Sequence, residues 1–314
     1  MRRILLGGVA ALVACGGTKS EDDSAAGGGA VVLVDAYTLD GDDLFPEGVA
    51  WHDDVQAFFY GSLTTGIIVR LDPDGTQTEV HTMDGPWMTL GMKVDGATGD
   101  LLVCAVENYG TDTPHSELWA YSPGSGEVST VALEGDVVCN DVAVTSTGRV
   151  FLTEREGPRL HEVDRAAGTA SVFLEDPALA PEIIGLNGIV VKDDEYLLVG
   201  KYAPGRLLKV PLDGPEGFTE VVVGGAGMGA LPDGPDGIAW MGDELVIAAN
   251  STVLRVASTD DWATATSTAS TPPAAVAAVT VAQGEVYGLK GEIVPYVLGT
   301  EISRPFELLR LTVD

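Results

Sequence analysis

The chain has 314 residues, 45% of them hydrophobic, so it can bury a large core, yet it exceeds ordinary single-domain size unless it forms a barrel or a repeat array. Asp and Glu number 47 against 17 Lys and Arg, a formal charge of -30. That balance excludes nucleic acid and anionic lipid as partners of a basic patch and favours cations.

The first element is "MRRILLGGVAALVACGG": two arginines, an apolar run from Ile4 to Ala14, and Cys15 among small residues. Residues 1–14 read as a signal peptide, too short to span a bilayer as a finished helix. The segment "LVAC" resembles the bacterial lipobox, which would make Cys15 the lipidated first residue of an exported lipoprotein, held in the periplasm or at the outer membrane or cell surface. Membrane contact is expected only through that lipid anchor. Residues 15–30, rich in Gly, Ser and acids, form a flexible linker, and residues 31–314 form the folded domain, expected to be a monomer.

From residue 31 onward, short Val, Ile and Leu runs alternate with Gly, Asp and Pro clusters at intervals of roughly eight to twelve residues, an all-β pattern. The segment "PDGIAWMGDELVIAA" recurs as "PEGVAWHDDVQAFFYGS", "TLGMKVDGATGDLLVCA", "CNDVAVTSTGRVFLT", "LNGIVVKDDEYLLVG" and, more weakly, "VAAVTVAQGEVYGLK". The anchors Gly48, Gly91, Asp141, Gly188, Gly237 and Ala278 stand roughly 40 to 50 residues apart, the period of propeller blades. A third strand follows each copy, as in "GIIVRLDPDG" and "GRLLKVPLDG". Six copies predict a six-bladed β-propeller. The last copy lacks one strand, and the N-terminal run "VVLVDAYTLD", residues 31–40, supplies it and closes the ring. The stretch "ATATSTASTPPAAVAAV" is placed as an outer strand and loop of the fifth blade.

The residue before each anchor is expected just ahead of an inner strand, facing the axis: Glu47, Leu90, Asn140, Asn187, Asp236 and Ala277. Singly, each polar member reads as a turn residue. Together, two carboxylates and two amides at equivalent places read as an oxygen shell for calcium, with Mg or Mn as alternatives and waters completing six to eight ligands. Zinc is disfavoured because His52, His81, His115 and His161 fall outside the column. Leu90 and Ala277 are expected to make the channel wall partly apolar. Cys104 and Cys139 are compatible with a disulfide or with two buried thiols. Lys201 and Tyr202 stand where they can reach a pocket rim, the insertion "ENYGTDTPHSELW" could lid the site although a plain hairpin is the simpler reading, and Trp51 and Trp240 read as interblade core.

The segments "PEGVAW", "CNDVAV", "LNGIVV" and "PDGIAW" resemble the metal-site motifs of the SMP-30/gluconolactonase/LRE-like family over roughly residues 40–314. The resemblance implies a calcium-dependent six-bladed propeller hydrolysing a lactone or related ester. Carried over by position, Glu47, Asn187 and Asp236 hold the metal, Asn140 completes the shell or contacts substrate, and Asp236 with Asn140 serves catalysis. Family members that bind sugar acids often carry an arginine two residues before the third-blade asparagine, where this chain has Val138. That departure points away from gluconolactone, and the partly apolar wall expected from Leu90 and Ala277 suits a more hydrophobic lactone or ester. The rival reading is a non-catalytic binding propeller stapled by calcium at the cell surface.

Overall fold

The computed structural model describes residues 31–225, 231–232 and 234–313. The signal peptide, the lipidation site Cys15 and the linker expected over residues 1–30 lie outside the described residues. From Val32 onward the chain forms six small sheets set as the blades of a propeller. Their inner strands are Val49–His52, Trp87–Val94, Cys139–Val144, Leu186–Lys192, Pro235–Met241 and Ala278–Ala282, one for each sequence repeat. No helix among the described residues is long and apolar enough to cross a membrane.

Within blades 1 to 4 the strands follow in chain order as antiparallel meanders, joined by the Gly- and Asp-rich turns that punctuate the sequence. Blade 6 is completed by Ala36–Leu39, which pairs antiparallel with Phe306–Leu311 from Ala36 opposite Leu309 to Leu39 opposite Phe306. Pairing thus begins at Ala36 rather than at residue 31. The join is packed by aromatic rings, with Phe58 of blade 1 lying 5.7 Å from Tyr37 and 5.0 Å from Tyr287 of blade 6, centroid to centroid.

Blade 5 carries Thr264–Ser270 as its outer strand, as expected from the Ala/Thr stretch. It also gains a strand the sequence did not disclose: Val222–Gly225 pairs parallel with Thr264–Ser270. This segment follows Thr219–Glu220, the two-residue outer strand of blade 4, so the chain leaves one blade early and covers the edge of the next.

Burial peaks at the second strands and falls outward from them. The second strands Ala57–Gly61, Val150–Glu154 and Tyr196–Lys201 are buried throughout, whereas the outer strand Gln77–Met83 is half-exposed. The core lies between blades: Leu90, Leu118, Val142 and Leu152 form one apolar cluster across blades 2 and 3, and Leu198, Ile238, Leu245 and Leu254 another across blades 4 and 5. Each blade therefore buries its faces only by having neighbours. A disulfide between Cys104 and Cys139 joins blades 2 and 3, resolving the alternative left open by the sequence.

Candidate functional site

Of the polar column, only Glu47 precedes the inner strands. Asn140, Asn187 and Asp236 lie inside them, each at a β-bulge. Asn140 and Asp141 together oppose Thr153 alone, Asn187 and Gly188 oppose Gly200, and Asp236 and Gly237 oppose Ala248. Blade 2 repeats the device with Leu90 and Gly91 opposite Cys104. A bulge adds one residue to the inner strand and re-aims a side chain, and here it directs the first bulge residue of three blades to the axis. The glycines that make the repeat visible are there for space: a Cβ on Gly188 would come within 2.1 Å of the Asp236 carbonyl oxygen, and one on Gly48 within 1.9 Å of that of Leu90.

Glu47, Asn140, Asn187 and Asp236 line one continuous site at the axis. Asn140 donates from Nδ2 to Oδ1 of Asn187, and Asn187 donates in turn to the Asp236 carboxylate. Oδ1 of Asn140 is buried with no hydrogen-bond partner. Burial raises Glu47 well above the usual carboxylate range, and the negative charges of Asp236 and then Asp141 push the same way, against Arg155. Burial likewise lifts Asp236 to about 7; Arg155 opposes this, Asp141 adds to it, and the Asn187 hydrogen bond lowers it. Two carboxylates and two amides thus meet in a low-dielectric channel with an amide oxygen to spare. Such oxygen-only donors suit a hard cation. Among the described residues no group of three or more His, Cys, Asp or Glu side chains is placed to hold a metal, so any axial ion must draw on the asparagines.

Asp141 sits directly behind this quartet. Its Oδ1 accepts from the Val142 amide at 2.8 Å and its Oδ2 from the Ile189 amide at 3.1 Å. Burial lifts it to about 6, while those two amides and Lys93 restrain the rise. A Cβ on Gly91 would lie 2.2 Å from its Oδ1, so glycine in one blade makes room for the carboxylate of the next.

The quartet divides the channel into two cavities. On one side, about 440 Å³ is lined by inner-strand residues including Trp51, Lys93 and Asp141. On the other, about 810 Å³ is bounded by Arg155, Tyr109, Tyr202, Leu63, Met88 and an apolar segment before the last strand. Arg155 was missed by the sequence reading. Its backbone amide donates to the Val138 carbonyl at 3.0 Å, and its guanidinium lies over the Tyr109 ring, 5.4 Å from the centroid. The backbone of Arg155 thus pairs with Val138, the position where the arginine of the resembled family is lacking, while its side chain borders the larger cavity. A signal for it existed: Arg155, Tyr202 and Asn250 each directly follow the second strand of their blade, and all three line the larger cavity.

Other expectations divide. Tyr202 reaches the cavity and donates to Oδ1 of Asn250 at 3.0 Å, whereas Lys201 is buried and its Nζ donates to the Ala178 carbonyl at 2.8 Å. The blade 2 insertion contributes Tyr109 to the wall. Trp240 stacks near Trp262, and its Nε1 donates to Val191 of the neighbouring blade, so it is interblade packing. Trp51 packs on Phe58 at 4.7 Å. Ala277 lines both cavities, but Leu90 does not: it is fully buried in the core between blades 2 and 3. The apolar wall comes instead from Leu63, Met88 and the segment 293–298.

Similar folds are found in the major allergen Mala s 1 of Malassezia sympodialis (16% identity over 90% of this chain and 97% of that one, TM-score 0.74). They are found also in a gluconolactonase of Xanthomonas campestris (15% identity, 88% and 89%, TM-score 0.59) and in virginiamycin B lyase of Staphylococcus aureus (12% identity, 88% and 98%, TM-score 0.56). At these identities the likeness is one of fold. No curated protein matches the sequence. The SMP-30/gluconolactonase/LRE-like region matches residues 45–287, which takes in the whole axial quartet, and the chain belongs to that family.

Proposed function

We propose that this propeller is a metal-dependent hydrolase of a lactone or related ester, with calcium the favoured ion and Glu47, Asn140, Asn187 and Asp236 its protein ligands. The observation that carries the reading is the buried, unpartnered Oδ1 of Asn140 beside two carboxylates whose proton affinity burial has raised. A cation at that place would satisfy the amide oxygen and offset the buried negative charge. Family membership and a gluconolactonase of the same fold support lactone chemistry.

When bound, the ion supplies Lewis-acid polarisation of the substrate carbonyl. The residues of the chain do the rest. Asp236 takes the proton of a water attacking the carbonyl carbon, the role of a general base. The ring C–O bond then breaks, and the proton passes from Asp236 to the leaving alkoxide, so that a hydroxy acid is released. Arg155 borders the same cavity and makes no ion pair among the described residues, which leaves its guanidinium to hold the carbonyl oxygen or the new carboxylate. The disulfide is consistent with the export expected from the N-terminal sequence. Calcium-dependent turnover of a panel of lactones and esters tests the reading, and calcium binding without turnover would favour the binding propeller.

A further inference from the structure

Ile293–Leu298 forms a short helix, α1, inserted between the last two strands of blade 6. Its sequence, IVPYVL, is wholly apolar, yet none of its residues is buried. Val297 and Leu298 are each 68% exposed, and Ile183, which borders the same cavity, is 84% exposed. Apolar surface left in water forfeits about 25 cal/mol per Å², so packing within the chain gives no account of this composition.

The helix is nevertheless held in place. The Tyr296 ring lies 4.1 Å from that of Phe45, centroid to centroid. Gly291, just ahead of α1, approaches Pro46 so closely that a Cβ there would stand 1.8 Å from the Pro46 carbonyl oxygen. Pro46 precedes Glu47, so the apolar segment is fixed to the same stretch of chain that brings a carboxylate to the axis. The cavity of about 810 Å³ has the polar quartet as its floor, Arg155 on a wall and α1 at its rim. A polyhydroxylated sugar lactone would have to strip water from its hydroxyls against Val294, Val297 and Leu298 with no partner offered in return. An alkyl or aryl group meets no such penalty.

We propose that α1 and Ile183 form a wall that binds the apolar substituent of the substrate. The substrate class is then a lactone or ester whose carbonyl sits at the quartet and whose alkyl or aryl chain runs along α1. This proposal rests on the hydrolase reading, and its test separates the two. With the full-length protein in calcium, kcat/KM is measured for γ-lactones bearing methyl, butyl and octyl groups. It should rise by up to about fourfold per methylene, and the double variant Val297→Ser, Leu298→Ser should flatten the series. In parallel, binding of the corresponding γ-lactams, which lack the ester bond, is followed by calorimetry on the calcium-free protein. Lactam affinity that grows with chain length, and stops growing in the double variant, supports the wall even if no lactone is hydrolysed, in which case only the hydrolase reading falls. Affinity indifferent to chain length overturns the wall whatever the turnover. So does binding of a Cys15→Ala protein to phosphatidylcholine vesicles that depends on Val297 and Leu298 while lactam binding does not.

Discussion

Asn140 and Asn187, 47 residues apart and on adjacent blades, are joined by one hydrogen bond from the Nδ2 of the first to the Oδ1 of the second, which leaves the Oδ1 of Asn140 buried and unpaired. An unsatisfied buried amide oxygen costs about 1–3 kcal/mol, so it marks a place where a partner belongs. Asn140→Ala should change the melting temperature of the calcium-free protein little, while reducing calcium affinity or kcat/KM by about 10- to 100-fold. Calorimetry with calcium and steady-state kinetics on the same variant check this, and a large loss of stability in chelator with normal calcium affinity would make Asn140 a structural residue.

The calcium-free protein should lose stability as pH rises through about 7. The sign follows from Asp236: its folded pKa is raised, chiefly by burial, so its contribution is fully present below the unfolded carboxylate range and is lost as the group ionises in the fold. Glu47 shifts in the same direction for the same first reason. Added calcium should therefore stabilise more at pH 8 than at pH 5.5. Melting curves with chelator and with calcium across that range check it, and calcium stabilisation that is flat with pH would contradict it.

Cys104 and Cys139 bridge two bulges, one opposite Leu90 and Gly91, the other immediately before Asn140. Their separation of 35 residues implies a stabilisation of about 3–4 kcal/mol on the loop-entropy account. Cys104→Ala with Cys139→Ala should lose about that much, and calcium affinity should fall with it because Asn140 is no longer held from behind. Urea unfolding and calcium titration of the double variant, beside the parent under reductant, measure both effects.

Arg155→Met should lower kcat/KM by about 10- to 100-fold, the worth of a charged hydrogen bond to substrate, with calcium affinity kept or increased because a competing positive charge is removed. Arg155→Lys should restore part of the activity. Equal kinetics in Arg155→Met and parent would confine the arginine to packing on Tyr109.

The repeat made the blade count, the ring closure and the polar column legible, because in four blades the inner strand presents a glycine where the neighbouring blade comes within 1.9 to 2.7 Å of where a Cβ would stand. What it hid was depth and origin. Nothing in "LNGIVV" shows that Asn187 and Gly188 share one partner residue, since a bulge is a property of pairing rather than of composition. Leu90 occupies the column yet turns into the core, where its apolar side chain joins the cluster between blades 2 and 3. Arg155 directly follows a second strand, outside the repeat used to align the blades, and the parallel strand Val222–Gly225 depends on a crossing between blades that periodicity cannot show. Helix α1 interrupts blade 6 where the repeat is weakest.

The most direct test of the axial site is calcium titration of the parent, Glu47→Gln and Asp236→Asn, each read by melting temperature and by hydrolysis of a lactone panel. Binding to the native state alone should raise the parent melting temperature with calcium concentration. Glu47→Gln should require about 10-fold or more calcium for the same shift, by loss of one ligand charge. Asp236→Asn, even at saturating calcium, should hydrolyse at least about 100-fold more slowly than parent, because the base is gone. A parent that neither gains stability from calcium nor loses activity in chelator would contradict the account, and the axial column would then be a set of bulge residues and nothing more.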